Sequence, residues 1–268
     1  MRRLNDAVRG ETVRLTRTRL PLWTLLTAAG CGGVLTGIVG LTGPENATPP
    51  MPGLDTVEGV SAVLSLLGVT LFAPALIGTV AITGEYRHRT VATTFLAVPK
   101  RGVVLTAKLL VYGALGLAYG LVLALSAVIG IYAGTVVNGI EAGLGLTAIL
   151  GTSVRYGIAA AIYMLLGVSI GAVARHQLLA IGITLGYFYL VDNLVMILPG
   201  INIAYPYLPG GATASLTGST ALLEMIAAET GLAGPVIQTP LLGALVLLLY
   251  VLAASALAAV VSLRRDVV

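Results

Sequence analysis

Cysteine occurs once in 268 residues, at Cys31 inside an apolar run. A single thiol excludes both a disulfide framework and a thiolate metal cluster. Charge is also scarce, at 10% of residues against 57% hydrophobic, and the mean hydropathy of +0.98 lies far outside the range of a soluble globular domain. The composition is that of a chain built for a bilayer. Lysine appears twice against thirteen arginines, which follows a GC-rich coding bias together with the abundant Ala, Gly and Val. No G-x-x-x-x-G-K-[ST] phosphate loop is present, so the chain has no nucleotide-hydrolysing site of the usual kind. It also lacks H-E-x-x-H, and His88 and His176 fall in separate connections, outside the apolar runs. That leaves neither a metal site nor the Ser and His within spans that an intramembrane protease requires. The expectation is a non-enzyme that binds no cofactor of its own.

Six apolar runs are present, each near the ~20 residues that cross a hydrocarbon core. They are approximately Pro21–Leu41, Val57–Thr83, Val103–Tyr132, Leu146–Ala174, Leu178–Leu198 and Leu241–Leu263. The first is longer than the apolar core of a signal peptide and reads as a retained span. Before it, residues 1–19 carry six arginines, and a helical projection places Leu4, Ala7, Val8, Leu15 and Thr18 on one stripe. This is the pattern of a basic amphipathic helix lying on a membrane surface among anionic headgroups. Glu11 falls on the apolar stripe, where a carboxylate either meets a cation from another segment or snorkels to the headgroups.

Orientation follows from the connections. Segments 42–56, 133–145 and 199–240 hold Glu45, Asp55, Glu141, Glu224 and Glu229 but no Lys or Arg. The opposite set holds the amino-terminal arginines, the 84–108 segment, Arg175 with His176, and Arg264 with Arg265. By the positive-inside rule both termini are cytoplasmic. The positive charge is thereby explained by topology, and nucleic acid is not an expected partner. The 42-residue connection from Pro199 to Pro240 exceeds ordinary loop length and is expected to be structured, dipping into or capping the outer leaflet. Within it, Gly210-Gly211 reads as a break and Ser219 to Thr230 as a helix. Segment 43–55, with four prolines, reads as a stiff loop with no fold of its own.

Only Arg155 and Asp192 lie well within spans. At ~1.5 Å per residue they sit ~28 and ~21 Å from the cytoplasmic ends of their runs, a gap an arginine can bridge. Each costs about 2.5–3.5 kcal/mol near mid-bilayer, which favours a structural pair. The alternative has Arg155 reaching the outer headgroups while Asp192 borders water or a substrate cavity. In the paired case, loss of Asp192 lowers stability and further loss of Arg155 adds little. Tyr112 and Tyr119 share a face of the third run, a pattern more often of core packing than of substrate lining. Gly116 and Gly120, Gly167 and Gly171, and Gly182 and Gly186 have close-packing spacing, but no dimer face follows in so glycine-rich a chain.

The segment Gly84 to Lys108, G-E-Y-R-H-R-T-V-A-T-T-F-L-A-V-P-K-R-G-V-V-L-T-A-K, concentrates charge between two apolar runs. Val91, Thr94, Phe95 and Val98 recur at helical spacing and Pro99 ends the pattern, so Tyr86 to Val98 reads as a short amphipathic helix at the inner surface.

This order of parts resembles the permease subunit of type 2 ABC exporters, a bacterial membrane family. The likeness is carried by G-E-Y-R-H-R-T at Gly84–Thr90, V-P-K-R-G at Val98–Gly102 with Lys108, and E-T-V-R-L-T-R-T-R at Glu11–Arg19 leading into the first span. The resemblance implies an all-α polytopic membrane protein in the bacterial inner membrane. Its parts would be a surface helix (1–19), spans one and two (20–83), a cytoplasmic coupling region (84–102), spans three to five (103–198), an outer segment (199–240), a sixth span (241–263) and a tail (264–268). It further implies a cytoplasmic ABC ATPase as partner, holding the ATP and Mg, and a second permease copy or homologue beside this one, within membrane lipid. By matching position, Glu85, Tyr86, Arg87, His88, Arg89, Thr90 and Phe95 are coupling candidates, with Glu11 and Arg14 as partners from the surface helix. The implied activity is export of an amphipathic or hydrophobic compound such as a drug, antibiotic, peptide or lipid-like molecule. An ion-coupled secondary transporter or channel is the alternative, but the expected inverted repeat is not evident.

Overall fold

The computed structural model describes residues 2–48, 50–88, 100–198, 200–220, 223–224 and 236–264. Among them there is no strand, and six helices are long and apolar enough to cross a membrane: Leu20–Thr42, Val57–Arg87, Gly102–Asn138, Leu146–Ala174, Gln177–Ile197 and Pro240–Val260. Helices are the natural outcome for such runs, because hydrocarbon offers backbone N–H and C=O groups no partner outside the segment. Ahead of the first span lies the surface helix Arg2–Thr16, and between the fifth and sixth lies the short helix Pro209–Thr217.

The fourth span is the hub. It packs against the second, third and sixth, and 72% of its apolar window is buried, against 11% for the fifth span. Small residues permit these contacts. A Cβ added at Gly167 would overlap the Ala75 carbonyl of the second span, and one at Gly120 would overlap the Gly157 carbonyl of the fourth. Gly116 and Gly171 likewise face Ala161 and Thr79. Two of the three glycine pairs picked out by spacing are therefore contacts within the chain, whereas Gly182 and Gly186 face open space. Tyr112 and Tyr119 are both buried in the core.

Three spans depart from α geometry, and in the first Gly30–Val34 forms a π turn. In the second, Leu66–Leu71 tightens into a 3-10 turn just ahead of Pro74, which has no N–H to give and crowds the carbonyl four residues back. In the fifth, Tyr187–Val191 forms a π turn immediately before Asp192. The third helix runs to Asn138, six residues past the end expected from hydropathy. Asn138 Nδ2 donates to the Gly40 carbonyl at 2.9 Å, and Gly139 closes the helix in the left-handed region at φ 65°.

Two expectations for the connections change. The 43–55 loop is anchored, with Leu54 fully buried and its carbonyl accepting from the Gly143 N–H at 2.8 Å. Gly210 and Gly211 do not break the outer segment but lie inside helix Pro209–Thr217, where a Cβ on Gly211 would overlap the Tyr205 carbonyl. Glycine serves close approach here rather than chain termination. The helix expected over 219–230 falls mostly outside the described residues, as does the coupling helix expected over Tyr86–Val98, of which Tyr86 and Arg87 belong to the last turn of the second span and His88 caps it.

Candidate functional site

The chain alternates between two ends, one carrying the arginines of the connections and one carrying the acidic loops. At the basic end the surface helix presents Leu4, Ala7, Val8, Glu11, Arg14 and Leu15 inward at helical spacing, with Arg3, Arg9, Arg17 and Arg19 exposed. Glu11 and Leu15 are fully buried against the bundle. The second span supplies Glu85 from its last turn, and the third supplies Lys108 from its second turn, on the buried stripe of Val104, Ala107, Val111 and Leu115.

These elements bring together two carboxylates and two cations in a closed ring. Lys108 Nζ donates to Glu11 Oε1 and Oε2, each at 3.0 Å, and to Glu85 Oε1. Arg14 Nη2 donates to Glu11 Oε1 at 2.7 Å, and its Nη1 pairs with Glu85 Oε1. Each carboxylate thus meets both cations, and the four formal charges cancel. Burying a lone carboxylate is expensive, and charge-assisted bonds from two directions compensate for the lost water. The question left open for Glu11 is thereby answered: it meets cations instead of reaching to the surface.

Glu85 and Lys108 lie near the end of the second span and the start of the third, so the ring ties the roots of both spans to the surface helix. Beside the ring, Tyr86 packs against the core, and exposed Arg87 donates from Nη1 to Gln177 Oε1 of the fifth span at 3.2 Å. Exposed His88 ends the helix of the second span. Arg87 also borders a cavity of ≈ 410 Å³ shared with Arg175, His176 and Gln177, where the fourth span turns into the fifth. Of the coupling candidates, Arg89, Thr90 and Phe95 lie outside the described residues. Among the described residues, no three His, Cys, Asp or Glu side chains are placed to hold a metal.

Lys108 was the residue that sequence reasoning passed over, since it was counted with the charges of the connection. The signal was its place in the apolar periodicity, one turn after Val104 and one before Val111.

The structure does not bring Arg155 and Asp192 together. Arg155 is exposed, with its guanidinium near Gly218, and no Lys, Arg or His of the described residues pairs with Asp192. Asp192 is buried and instead accepts the Gly210 N–H, at the amino-terminal turn of helix Pro209–Thr217. The positive end of a helix dipole stands in for the missing cation, and only a glycine admits the approach, since a Cβ there would overlap Asp192 Oδ2. Nearby, burial first, then the Asp192 charge, and then Tyr156 push the Tyr205 phenol upward, so it remains a proton donor.

The family described as ABC-2 family transporter protein matches residues 9–191, a stretch holding the ring, the first four spans and most of the fifth. No curated protein matches the chain at a significant level.

Proposed function

Because this chain belongs to the ABC-2 family of transporter proteins and is a multi-pass membrane permease, we propose that it is the membrane-spanning subunit of an ATP-driven exporter. A separate cytoplasmic ATPase supplies the energy and docks at the basic end, on the segment Tyr86 to Val98. The working unit pairs this chain with a second copy or a homologue in a bacterial inner membrane, with both termini cytoplasmic. Its cargo is an amphipathic or hydrophobic compound. The observation that carries the reading is the Glu11–Arg14–Glu85–Lys108 ring, which makes the surface helix and the roots of the second and third spans one body. A body of that kind can hand a push from an ATPase to two spans at once.

The test is recovery of an ATP-hydrolysing subunit with the affinity-tagged chain from its native membrane. Arg87→Glu and Phe95→Asp are expected to reduce that recovered activity severalfold while membrane insertion is unchanged. Equal recovery from both variants and wild type overturns the docking assignment. Orientation is checked separately with His88→Cys in a Cys31→Ser background. An impermeant maleimide is expected to label it in inside-out vesicles and not in intact cells.

A further inference from the structure

A second buried site lies toward the acidic end, where the second, fourth and fifth spans meet helix Pro209–Thr217 around a cavity of ≈ 370 Å³. Two of the bundle's irregular stretches contribute to its wall, the 3-10 turn through Gly68 and Val69 and the π turn through Phe188 and Tyr189. Such interruptions cost helix energy and cluster at functional sites. Aromatic rings dominate the lining. Tyr163 and Phe188 stack with centroids 4.9 Å apart, and Phe72 and Tyr189 meet tilted at 5.6 Å.

Among these rings sits Asp192, 8% exposed, with Oδ1 bonded to no group among the described residues. The Gly210 N–H serves only part of the carboxylate, and its χ2 is soft enough to exchange the two oxygens. An ionisable group placed within a span without a full set of partners marks a binding site by default. The chemistry of the wall then selects the ligand. An anion is repelled by the carboxylate, and a neutral hydrophobe makes no use of it. A hard metal ion needs several oxygen ligands, and no group of three acidic, His or Cys side chains gathers here among the described residues. Ring faces and one carboxylate suit a monovalent cation whose charge is buried in organic bulk.

We infer that this cavity binds an amphipathic organic cation, an ammonium or phosphonium centre carrying aromatic or apolar groups, with Asp192 as its counter-charge and Tyr163 and Phe188 as its ring wall. As a statement about cargo the inference rests on the transporter reading; as a statement about binding it stands on the cavity alone.

The experiment uses the purified full chain in detergent, without an ATPase. Binding of tetraphenylphosphonium and of tetraphenylborate, ions of closely similar shape and opposite charge, is measured by equilibrium dialysis. Wild type is expected to retain the cation and not the anion. Asp192→Asn is expected to weaken cation binding about tenfold or more, the scale of a desolvated cation interaction. Phe188→Leu is expected to weaken it severalfold with the carboxylate intact. Equal retention of both ions by wild type, retention of neither, or cation binding unaltered by folded Asp192→Asn overturns the site. Should Asp192→Asn fail to fold, the wild-type charge preference and Phe188→Leu still decide, and cation binding unaltered by Phe188→Leu counts against the cavity. A failed ATPase pull-down leaves this result standing, and a failed cation assay leaves the pull-down standing.

Discussion

At the basic end two buried carboxylates meet two cations and close a ring, whereas Asp192 toward the acidic end meets one backbone N–H and keeps an oxygen without a partner among the described residues. Both sites bury charge in an apolar bundle, yet one is complete and the other open. The three buried members of the ring, Glu11, Glu85 and Lys108, resist separation, because parting them strands charge away from water. That suits a joint which has to transmit displacement without yielding. An open carboxylate carries a standing cost that a cationic ligand relieves, which suits a site that fills and empties.

Substitutions can break this contrast, and the largest effect is expected at Lys108. Lys108→Ala removes the buried ammonium that Glu11 and Glu85 share and is expected to cost about 3–5 kcal/mol, the range for stranding a buried partner. Unfolding of the chain in mixed micelles by titration with a denaturing detergent reads this loss. In the same assay Lys108→Ala and Glu11→Ala are expected to be coupled by about 0.5–3 kcal/mol, as members of one network are. A smaller effect is expected at Gly210. The methyl of Gly210→Ala meets Asp192 Oδ2 and should cost about 1–3 kcal/mol as overpacking while displacing the carboxylate, which tetraphenylphosphonium retention detects. The smallest effect belongs to Arg155 with Asp192. Their alanine variants are expected to add within about 0.3–0.5 kcal/mol, because the two groups share no contact. Asp192→Ala alone should change stability by under about 1 kcal/mol, since it gives up one hydrogen bond and also removes an incompletely compensated charge. This reverses the expectation that followed from treating the two as a pair. Strong coupling between Arg155 and Asp192, or additive behaviour of Lys108 and Glu11, would erase the distinction between the closed and the open site.

Several features of both sites were legible in the amino-acid order. The six spans emerged from hydropathy to within a few residues, except where Asn138 and Gly139 prolong the third beyond its most apolar stretch. Glu11 stood out because a carboxylate on an apolar stripe has to be compensated, and Asp192 because it interrupts a span. The partners were harder to read. Lys108 was hidden by its nearness to a basic connection, although its position in the apolar period marked it as inward-facing. The partner of Asp192 is a backbone amide, which has no signature by residue type, and Gly210 looked like a chain breaker when its role is to let that amide come close.

Amino-acid order alone determined that this chain crosses a membrane six times, that its basic connections gather at one end, and that a charged segment separates the second and third spans. Transfer of apolar side chains out of water depends on local composition and needs no knowledge of neighbours. Only the tertiary structure decided which charges meet. Glu11 and Lys108 are 97 positions apart, and their contact depends on how the surface helix seats against the third span. Arg155 and Asp192, which reach alone would allow to pair, are held apart by the packing that brings a helix amino terminus to the aspartate first.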